Sequence, residues 1–292
     1  MSELMQGLQH RMETFVRDSS TTRLQRIDGR PIFGAPLLGV ADGDEPLFEQ
    51  YKRIIGPFHL IPREALRYSS ESAPAGVSPS LDRVRVLCWV LPITEQTRLS
   101  NRREDKVPSR RWAHTRWFGE QFNDELRRYV VGMLQDMGFL AIAPVVSPLF
   151  RMISEGLSRP PASTWSERHI LFAAGLGTFG LSDGFITPRG MAMRCGSVVS
   201  NAPLPVTPRR YASHTENCLH YRSGACDKCV ERCPAGAITQ DGHDKERCRA
   251  YSYGELLTLK EQYGVGVTGC GLCQTGVPCE AGIPENSSRS AR

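Results

Sequence analysis

Apolar residues recur along this chain at spacings that are typical of buried strands and amphipathic helices. Residues 84–91 form an apolar run that Pro92 ends, which predicts a buried strand. Residues 118–137 carry apolar side chains at helical spacing, and Gly138 suits the end of that helix. Further predicted elements are a strand over 139–144, a helix over 167–174, and strands near 185–187 and 196–200.

The segments between these elements divide the chain into two parts. The first 30 residues predict an amphipathic helical arm, and residues 97–117 predict a polar, arginine-rich connection. The proline-rich stretch over 202–208 predicts a linker. We therefore expect one domain over residues 1–207 and a second over 208–292, which ends in a polar tail from residue 284.

Composition and charge narrow the class of protein. The chain has 292 residues, of which 40% are hydrophobic, and a net charge of +5, which does not by itself indicate nucleic acid. No apolar run approaches the roughly 18 residues that cross a membrane, and the first 30 residues lack the apolar core of a signal peptide. We expect a cytoplasmic protein that does not bind a membrane and whose thiols stay reduced.

Cysteines carry the strongest chemical signal. The chain has ten, and Cys88 falls in the predicted strand over 84–91, where we expect an inert core residue. Eight others crowd the C-terminal part of the chain: Cys218, Cys226, Cys229, Cys233, Cys248, Cys270, Cys273 and Cys279. Eight thiolates are the number that two [4Fe–4S] clusters need, and Cys226-x2-Cys229-x3-Cys233-Pro234 carries most of the bacterial ferredoxin pattern.

Two other uses of these cysteines are weaker. A disulfide framework needs an oxidising compartment. A zinc site of four thiolates from Cys226, Cys229, Cys270 and Cys273 is chemically sound but leaves the other four cysteines without a role. The sequence therefore favours iron–sulfur clusters.

The ferredoxin scheme also divides the ligands between the two clusters. In that scheme one cluster takes Cys226, Cys229 and Cys279, and the other takes Cys233, Cys248, Cys270 and Cys273. The usual first cysteine of the run is replaced by Ser223, so we assign Cys218 as the missing ligand. If Cys218 does not reach, the first cluster has three cysteine ligands or is a [3Fe–4S] cluster.

A segment upstream of the cysteines gives the chain a family resemblance. The matching pieces are Glu167-Arg168, Ala174-Gly-Leu-Gly177 with Gly180, Gly196-Ser197, Cys226-x2-Cys229-x3-Cys233-Pro234, Arg247-Cys248 and Cys270-x2-Cys273-Gln274. Together they span about residues 160–280, and they resemble the epoxyqueuosine reductase family. That family is similar to the corrinoid-dependent reductive dehalogenases.

The resemblance implies an α+β protein with a nitroreductase-like α/β domain that holds cobalamin, followed by a ferredoxin-like module with two [4Fe–4S] clusters. It implies that electrons come from a low-potential donor such as ferredoxin or flavodoxin. The residues expected at the corrinoid are Gly175, Gly177, Phe179, Gly180, Gly196 and Ser197. Cys195 is a further candidate because it lies close in sequence to this segment and beside Arg194, a cation that would lower its pKa; simple packing is the alternative. The glycines would let the backbone approach a flat macrocycle.

One departure from the family concerns catalysis. An acidic proton donor is expected seven positions before Arg168, and this chain has Pro161 there. We predict His169 as an alternative proton donor, and Arg168 as the residue that holds an anionic substrate group or the amide oxygens of the corrinoid. The expected substrate is then a small organic molecule.

A tRNA substrate is less favoured but not excluded. The stretch from Arg98 to Arg116 is rich in arginine, with Trp112 and Trp117 interleaved, and a tRNA would suit such a surface. Two other functions stay open. One is an electron-transfer protein whose N-terminal domain docks a partner, and the other is an activator that reduces the corrinoid of another protein. Tyr211, His214 and His220 are candidates to line the route between corrinoid and clusters.

Overall fold

The computed structural model describes residues 2–71, 80–153 and 162–285, so Pro161 and the end of the polar tail lie outside it. The helices are α1 (Glu3–Asp18), α2 (Leu47–Ile54), α3 (Pro62–Glu71), α4 (Glu95–Arg102), α5 (Arg110–Asp136), α6 (Glu167–Ala173), α7 (Leu219–Ser223), α8 (Lys228–Glu231), α9 (Lys245–Tyr253) and α10 (Lys260–Tyr263). The strands are β1 (Leu37–Asp42), β2 (Arg85–Pro92), β3 (Ala141–Ile142), β4 (Met152–Ile153), β5 (Ala162–Ser163), β6 (Thr178–Phe179), β7 (Phe185–Ile186), β8 (Met193–Ser200), β9 (Ile238–Thr239) and β10 (Gly242–His243).

A four-stranded antiparallel sheet in the order β1-β2-β8-β3 forms the centre of the fold. Successive side chains of a strand point to opposite faces. In β2, Leu87 and Trp89 pack into a core with α1 and α5, whereas Val86 and Cys88 pack into a second core with α2, α3 and α6. Helices therefore cover both faces, which is why the β2 segment is almost continuously apolar.

The N-terminal arm packs onto the rest of the protein. Met5, Leu8, Met12 and Val16 are spaced by three or four residues along α1, and all four are buried in the core that α1 shares with α5. The Ser2 side chain caps this helix by accepting a hydrogen bond from the Met5 N–H. The predicted amphipathic helix is thus present over the first half of the arm.

The prediction of a polar connection over residues 97–117 is wrong for most of that segment. Helix α4 covers its beginning, and α5 starts at Arg110, eight residues before the predicted start. The Ser109 hydroxyl caps α5 by accepting from the Trp112 N–H at 3.1 Å. The start of α5 is held by contacts that an apolar stripe does not mark, since Arg111 pairs with Asp28 and His114 Nε2 lies 2.6 Å from the Tyr263 carbonyl oxygen.

The cysteine-rich part docks on α4 and on the start of α5. Trp112 lies against Gly271, where an added Cβ would come within 2.1 Å of the indole. Glu280 is buried and accepts hydrogen bonds from Arg98 and Arg102 on α4. Much of the predicted basic surface is therefore used within the molecule.

The proline-rich stretch over 202–208 follows the edge of the sheet. The Thr207 N–H donates to the Val40 carbonyl at 2.8 Å, and the Thr207 hydroxyl accepts from the Val40 N–H at 3.0 Å. The fold is thus a mixture of helices and sheet, as expected. The nitroreductase-like and ferredoxin-like assignments and the boundary at residue 207 stay predictions.

Within the described parts of the chain, no helix combines the length and the apolar character that crossing a membrane requires.

Candidate functional site

The cysteines line two separate cavities. The first is lined by Cys218, Cys226, Cys229 and Cys279, with Leu181, Ile186, Met191 and Val277 among its apolar neighbours. Residues 219–225 separate Cys218 from Cys226, and α7 takes the first five of them. Gly224 ends that helix with a φ of +65°. This helical turn brings Cys218 back beside Cys226, so the displaced cysteine borders the same cavity as the other three.

The second cavity has a volume of about 280 Å³ and is lined by Cys233, Cys248, Cys270 and Cys273. The Ala237 N–H donates to the Cys233 sulfur at 3.2 Å, and the Ser252 hydroxyl lies 3.9 Å from the Cys248 sulfur. Hydrogen bonds to sulfur are among the features by which proteins tune iron–sulfur potentials.

Burial makes four of these thiols, those of Cys229, Cys270, Cys273 and Cys279, hard to ionise without a bound cation, whereas a hydrogen bond from His243 lowers the pKa of Cys248. Burial raises the pKa of Cys229 and of Cys279 to about 12, and that of Cys270 to about 11. Thiolate ligands must lose their protons when metal binds, so a cationic centre offsets this cost. Across residues 2–71, 80–153 and 162–285, no three His, Cys, Asp or Glu side chains converge closely enough to hold a single metal ion.

A third, larger cavity of about 700 Å³ adjoins both cysteine cavities. One side of it is apolar or aromatic and includes Tyr51, Phe172 and Phe179. The polar lining residues are Gln50, Arg168, His169, Asp183, Ser213, His214, Thr215, Tyr221 and Lys245. The volume and this mixed lining are typical of a small-molecule or cofactor site.

Arg168 stands between the large cavity and the second cysteine cavity, because it lines both. It lies in the first turn of α6, where Glu167 points the other way into the protein and pairs with the buried Arg127 at 3.2 Å. The Arg168 guanidinium donates to the backbone carbonyl of Asp183. The Glu-Arg pair thus has one structural member and one member that faces the cavity.

His169 also lines the large cavity, but as a neutral imidazole. Its Nδ1 atom lies 2.8 Å from the Ser166 hydroxyl, and its backbone carbonyl accepts from the Tyr51 hydroxyl at 2.7 Å. Burial, together with the positive charge of Arg168, lowers the pKa of His169 to about 3. At neutral pH this side chain therefore carries no imidazolium proton, although His169 as a catalytic residue stays a prediction.

The turn over residues 180–184 is a wall that the three cavities share. Gly180 borders the large cavity and the first cysteine cavity, whereas Ser182 borders both cysteine cavities. Asp183 has a φ of +56°, which non-glycine residues rarely adopt. Its carboxylate lies 3.2 Å from His243 Nδ1 and 3.5 Å from the Lys245 ammonium, contacts that hold it in this conformation.

Two predicted cofactor residues, Phe179 and Gly180, line the large cavity, and the other glycines of that segment have different surroundings. Gly175 has a φ of +69°, and an added Cβ would come within 3.0 Å of Arg209. At Gly177 an added Cβ would come within 2.3 Å of the Ile186 carbonyl oxygen. Both glycines let two parts of the backbone approach each other.

The β8 residues that we expected at the corrinoid lie on an interior strand of the sheet and contact other parts of the protein. Gly196 packs against the Trp89 ring, and the Ser197 hydroxyl donates to Glu167 at 2.6 Å. Cys195 packs beside the α6 core, and burial raises the pKa of its thiol to about 12.

Several cavity residues carried no signal in the sequence. Tyr51 comes from α2, Asp183 from the β6–β7 turn and Lys245 from the first turn of α9. These elements are distant along the chain, and only the tertiary fold brings them together. His214 lines the large cavity and His220 the first cysteine cavity, in keeping with their position just before the cysteines.

The chain was compared with known proteins. No protein-family model matches it. Over 124 residues it is 31% identical to an epoxyqueuosine reductase of Bacillus anthracis, a match that covers 40% of this chain and 30% of that protein. A solved epoxyqueuosine reductase from Bacillus subtilis matches 97% of this chain and 67% of its own, at 17% identity and a TM-score of 0.48. A catabolic reductive dehalogenase, solved with 3-bromo-4-hydroxybenzoic acid, matches 96% of this chain and 37% of its own, at 14% identity and a TM-score of 0.50.

The match to the Bacillus anthracis protein confirms the family resemblance that the sequence predicted. The sequence match relates the chain to the epoxyqueuosine reductases, although it spans less than a third of the curated relative's length. The dehalogenase match supports a shared mixed fold of helices and sheet. The named relatives are reductases, so the comparisons relate this chain to a group of oxidoreductases.

Proposed function

We propose that the chain is a reductase in which each cysteine-lined cavity holds a [4Fe–4S] cluster and the larger cavity holds a corrinoid beside a small organic substrate. The observation that carries this proposal is the turn over residues 180–184, which forms part of the wall of all three cavities. Electron transfer is fast only over short distances, so adjoining sites suit a route from clusters to a bound ligand.

The arrangement of the thiols supports clusters more than zinc. In a [4Fe–4S] cluster each cysteine binds a different iron atom, so four sulfurs surround a cavity. A single zinc ion needs all four sulfurs at about 2.3 Å, so they must meet at a point. Four cysteines line each of the two cavities, which matches the four iron atoms of one cluster.

The larger cavity fits a corrinoid by the chemistry of its lining. Phe172 and Phe179 offer apolar surface to the face of a flat macrocycle, and Gln50, Ser213 and Thr215 offer hydrogen bonds to amide groups at its rim. A bound corrinoid would supply low-potential electron transfer to the substrate. The protein residues then bind and orient the substrate, with Arg168 at the boundary with the second cysteine cavity.

A small substrate is favoured over tRNA because the arginine-rich segment is engaged within the molecule. Arg98 and Arg102 pair with Glu280, and Arg111 pairs with Asp28 at 2.7 Å. Trp112 is buried against the cysteine-rich part. An electron-transfer protein has no need of a cavity of about 700 Å³, and that cavity favours the reductase.

The test is to purify the protein without oxygen, reconstitute it with iron and sulfide, and titrate it with cobalamin. We expect about eight iron atoms per chain and a cobalamin spectrum that changes on binding. About eight iron atoms per chain with no cobalamin binding would reject the proposed reductase and favour an electron-transfer protein. Stoichiometric zinc with fewer than about two iron atoms would reject both functions.

A further inference from the structure

We infer that the large cavity binds an anionic oxygen group, a carboxylate or a phosphate ester, between Arg168 and Lys245. The inference rests on the proposed function, since it names the class of ligand that the same cavity takes. It is carried by the charges that line the cavity and by the contacts that Asp183 makes with Arg168 and Lys245.

Arg168 faces the cavity and forms no ion pair within 4 Å among the described residues, although its charge acts on the Asp183 carboxylate from farther away. Its guanidinium donates to the Asp183 carbonyl, which is a neutral acceptor. A guanidinium has five N–H donors in a planar fork, a geometry that matches a carboxylate or a phosphate. The side chain is exposed on the cavity wall, so its charge is available to a ligand.

Lys245 brings a second positive charge to the same place. Its ammonium lies 3.5 Å from the Asp183 carboxylate, and 48% of its side chain is exposed. That carboxylate also lies 3.2 Å from His243, so Lys245 shares its counter-ion. Both cations therefore contact the same residue, Arg168 at the carbonyl of Asp183 and Lys245 at its carboxylate.

The cavity consequently has a cationic end. Asp183 is the single carboxylate among the described residues that line it, against the two cations Arg168 and Lys245. Arg168 also borders the second cysteine cavity, so the cationic end is the end nearest the clusters. An anion bound there would be held next to the source of electrons.

The rest of the cavity indicates the body of the ligand. Phe172 and Phe179 line it, and Ile54, which is 54% exposed, stands among the lining residues. Apolar surface beside a cationic end suits an amphipathic acid, with an apolar or aromatic body and one anionic group. A neutral or cationic analogue of the same shape would leave Arg168 and Lys245 without a counter-charge.

Two molecules can supply such an anion at this site. One is an organic acid as the substrate, and the other is the phosphodiester in the nucleotide tail of cobalamin itself. Both share the chemistry that Arg168 and Lys245 recognise, and probes that carry only one of the two groups separate them.

The experiment measures binding to the reconstituted full chain by calorimetry, with benzoate and its neutral analogue benzamide as probes. We expect benzoate to bind about tenfold or more tightly than benzamide. Arg168→Gln and Lys245→Gln should each remove most of that preference. Arg128→Gln is the matched control, because it removes one positive charge from an exposed site on α5. Arg168→Lys should keep part of the preference, which a folding defect would not allow.

A second arm compares cobalamin with cobinamide, which lacks the nucleotide tail and its phosphodiester. If the Arg168 and Lys245 variants weaken cobalamin but not cobinamide, the anion is the cofactor phosphate. If they weaken benzoate alone, it is an organic substrate. If neither probe shows an anion preference that these variants remove, the inference is wrong. Iron and sulfide content, measured on the same samples, tests the proposed function separately.

Discussion

Cys218 reaches the first cysteine cavity although its spacing departs from the ferredoxin pattern. The ferredoxin pattern expects a cysteine at position 223, and the chain has a serine there. Helix α7 folds the intervening residues into a turn, and Cys218 borders the same cavity as Cys226, Cys229 and Cys279. Local helix formation thus brings Cys218 to the cavity where the ferredoxin pattern expects a cysteine from position 223.

Replacement of Cys218 by serine should remove the first cluster and leave the second. We expect Cys218→Ser to lower the iron content from about eight to about four atoms per chain, because a cluster needs its fourth ligand. Cys88→Ala is the control, since Cys88 is buried in the α6 core and borders neither cysteine cavity. A Cys218→Ser protein that keeps all its iron would remove Cys218 from the ligand set.

At the scale of elements, the start of α5 serves as the platform for the cysteine-rich part. Trp112 packs on Gly271, and Trp117 packs on Gly266. The His114 Nε2 atom lies 2.6 Å from the Tyr263 carbonyl oxygen, and the Tyr263 hydroxyl donates to the Pro108 carbonyl at 3.1 Å. The interleaved tryptophans, which suggested a nucleic-acid surface, therefore form an internal interface.

A pair of glycine variants separates this packing from backbone strain. Gly271 and Gly224 both have left-handed backbone, with φ values of +67° and +65°. An added Cβ at Gly271 would overlap the Trp112 ring, whereas at Gly224 nothing lies within 4 Å. We expect Gly224→Ala to cost about 1 kcal/mol from strain alone. Gly271→Ala should cost about 2 kcal/mol more, as measured by urea unfolding. Equal losses in the free energy of unfolding would show that the Trp112 ring moves aside without a measurable energetic cost.

Sequence patterns predicted the elements that are buried by apolar contacts and missed those held by polar ones. The segments that became β2, α6 and the C-terminal part of α5 were visible because their apolar residues follow a strand or helix period. Helix α4 was missed because its buried residues are Thr97 and Asn101. The Asn101 side chain is bonded to Thr275 and to the Ser109 N–H, contacts that no local pattern encodes.

The residues of the candidate site likewise fall into those that the sequence predicted and those that it did not. The cysteines that line the two cavities were predicted as cluster ligands because cluster chemistry fixes both the type and the spacing of such residues. Asp183 and Lys245 were not found, because a single charged residue in a turn or at a helix start is common in any sequence. Their proposed role depends on Arg168, which lies in a different element and contacts Asp183 only in the folded chain, where Lys245 lies beside the Asp183 carboxylate.

On the scale of the whole molecule, Arg232 and Glu280 hold the cysteine-rich part against α4 and the residues that follow α4. Arg232, between Cys229 and Cys233, donates to the carbonyls of Asn101 and Glu104 and to those of Leu272 and Thr275. Glu280, next to Cys279, accepts from Arg98 and Arg102. Arg232 is next to Cys233, and Glu280 is next to Cys279. We therefore expect a change at this interface to disturb the predicted cluster ligands as well.

Glu280 is the position at which this link is best tested. Its side chain is 3% exposed, and its carboxylate meets Arg98, Arg102 and the Gly276 N–H, the last at 2.6 Å. Glu280→Gln keeps the shape but leaves Arg98, which is 16% exposed, without its counter-charge. We expect a loss of about 3 kcal/mol in the free energy of unfolding of the reconstituted protein, because a buried cation then lacks compensation. The loss should come with a lower iron content, since the chain beside Cys279 is released.

The matched control is Asp18→Asn, which removes a carboxylate from an ion pair with Arg17 that is exposed on both sides. Exposed pairs contribute little to stability, so this variant should unfold like the parent protein and keep its iron. If Glu280→Gln also matched the parent in both measurements, the Glu280 ion pairs would not hold the cysteine-rich part in place. The interface would then depend on Arg232 and on the tryptophan contacts instead, and the first cluster would form independently of the docking that α4 provides.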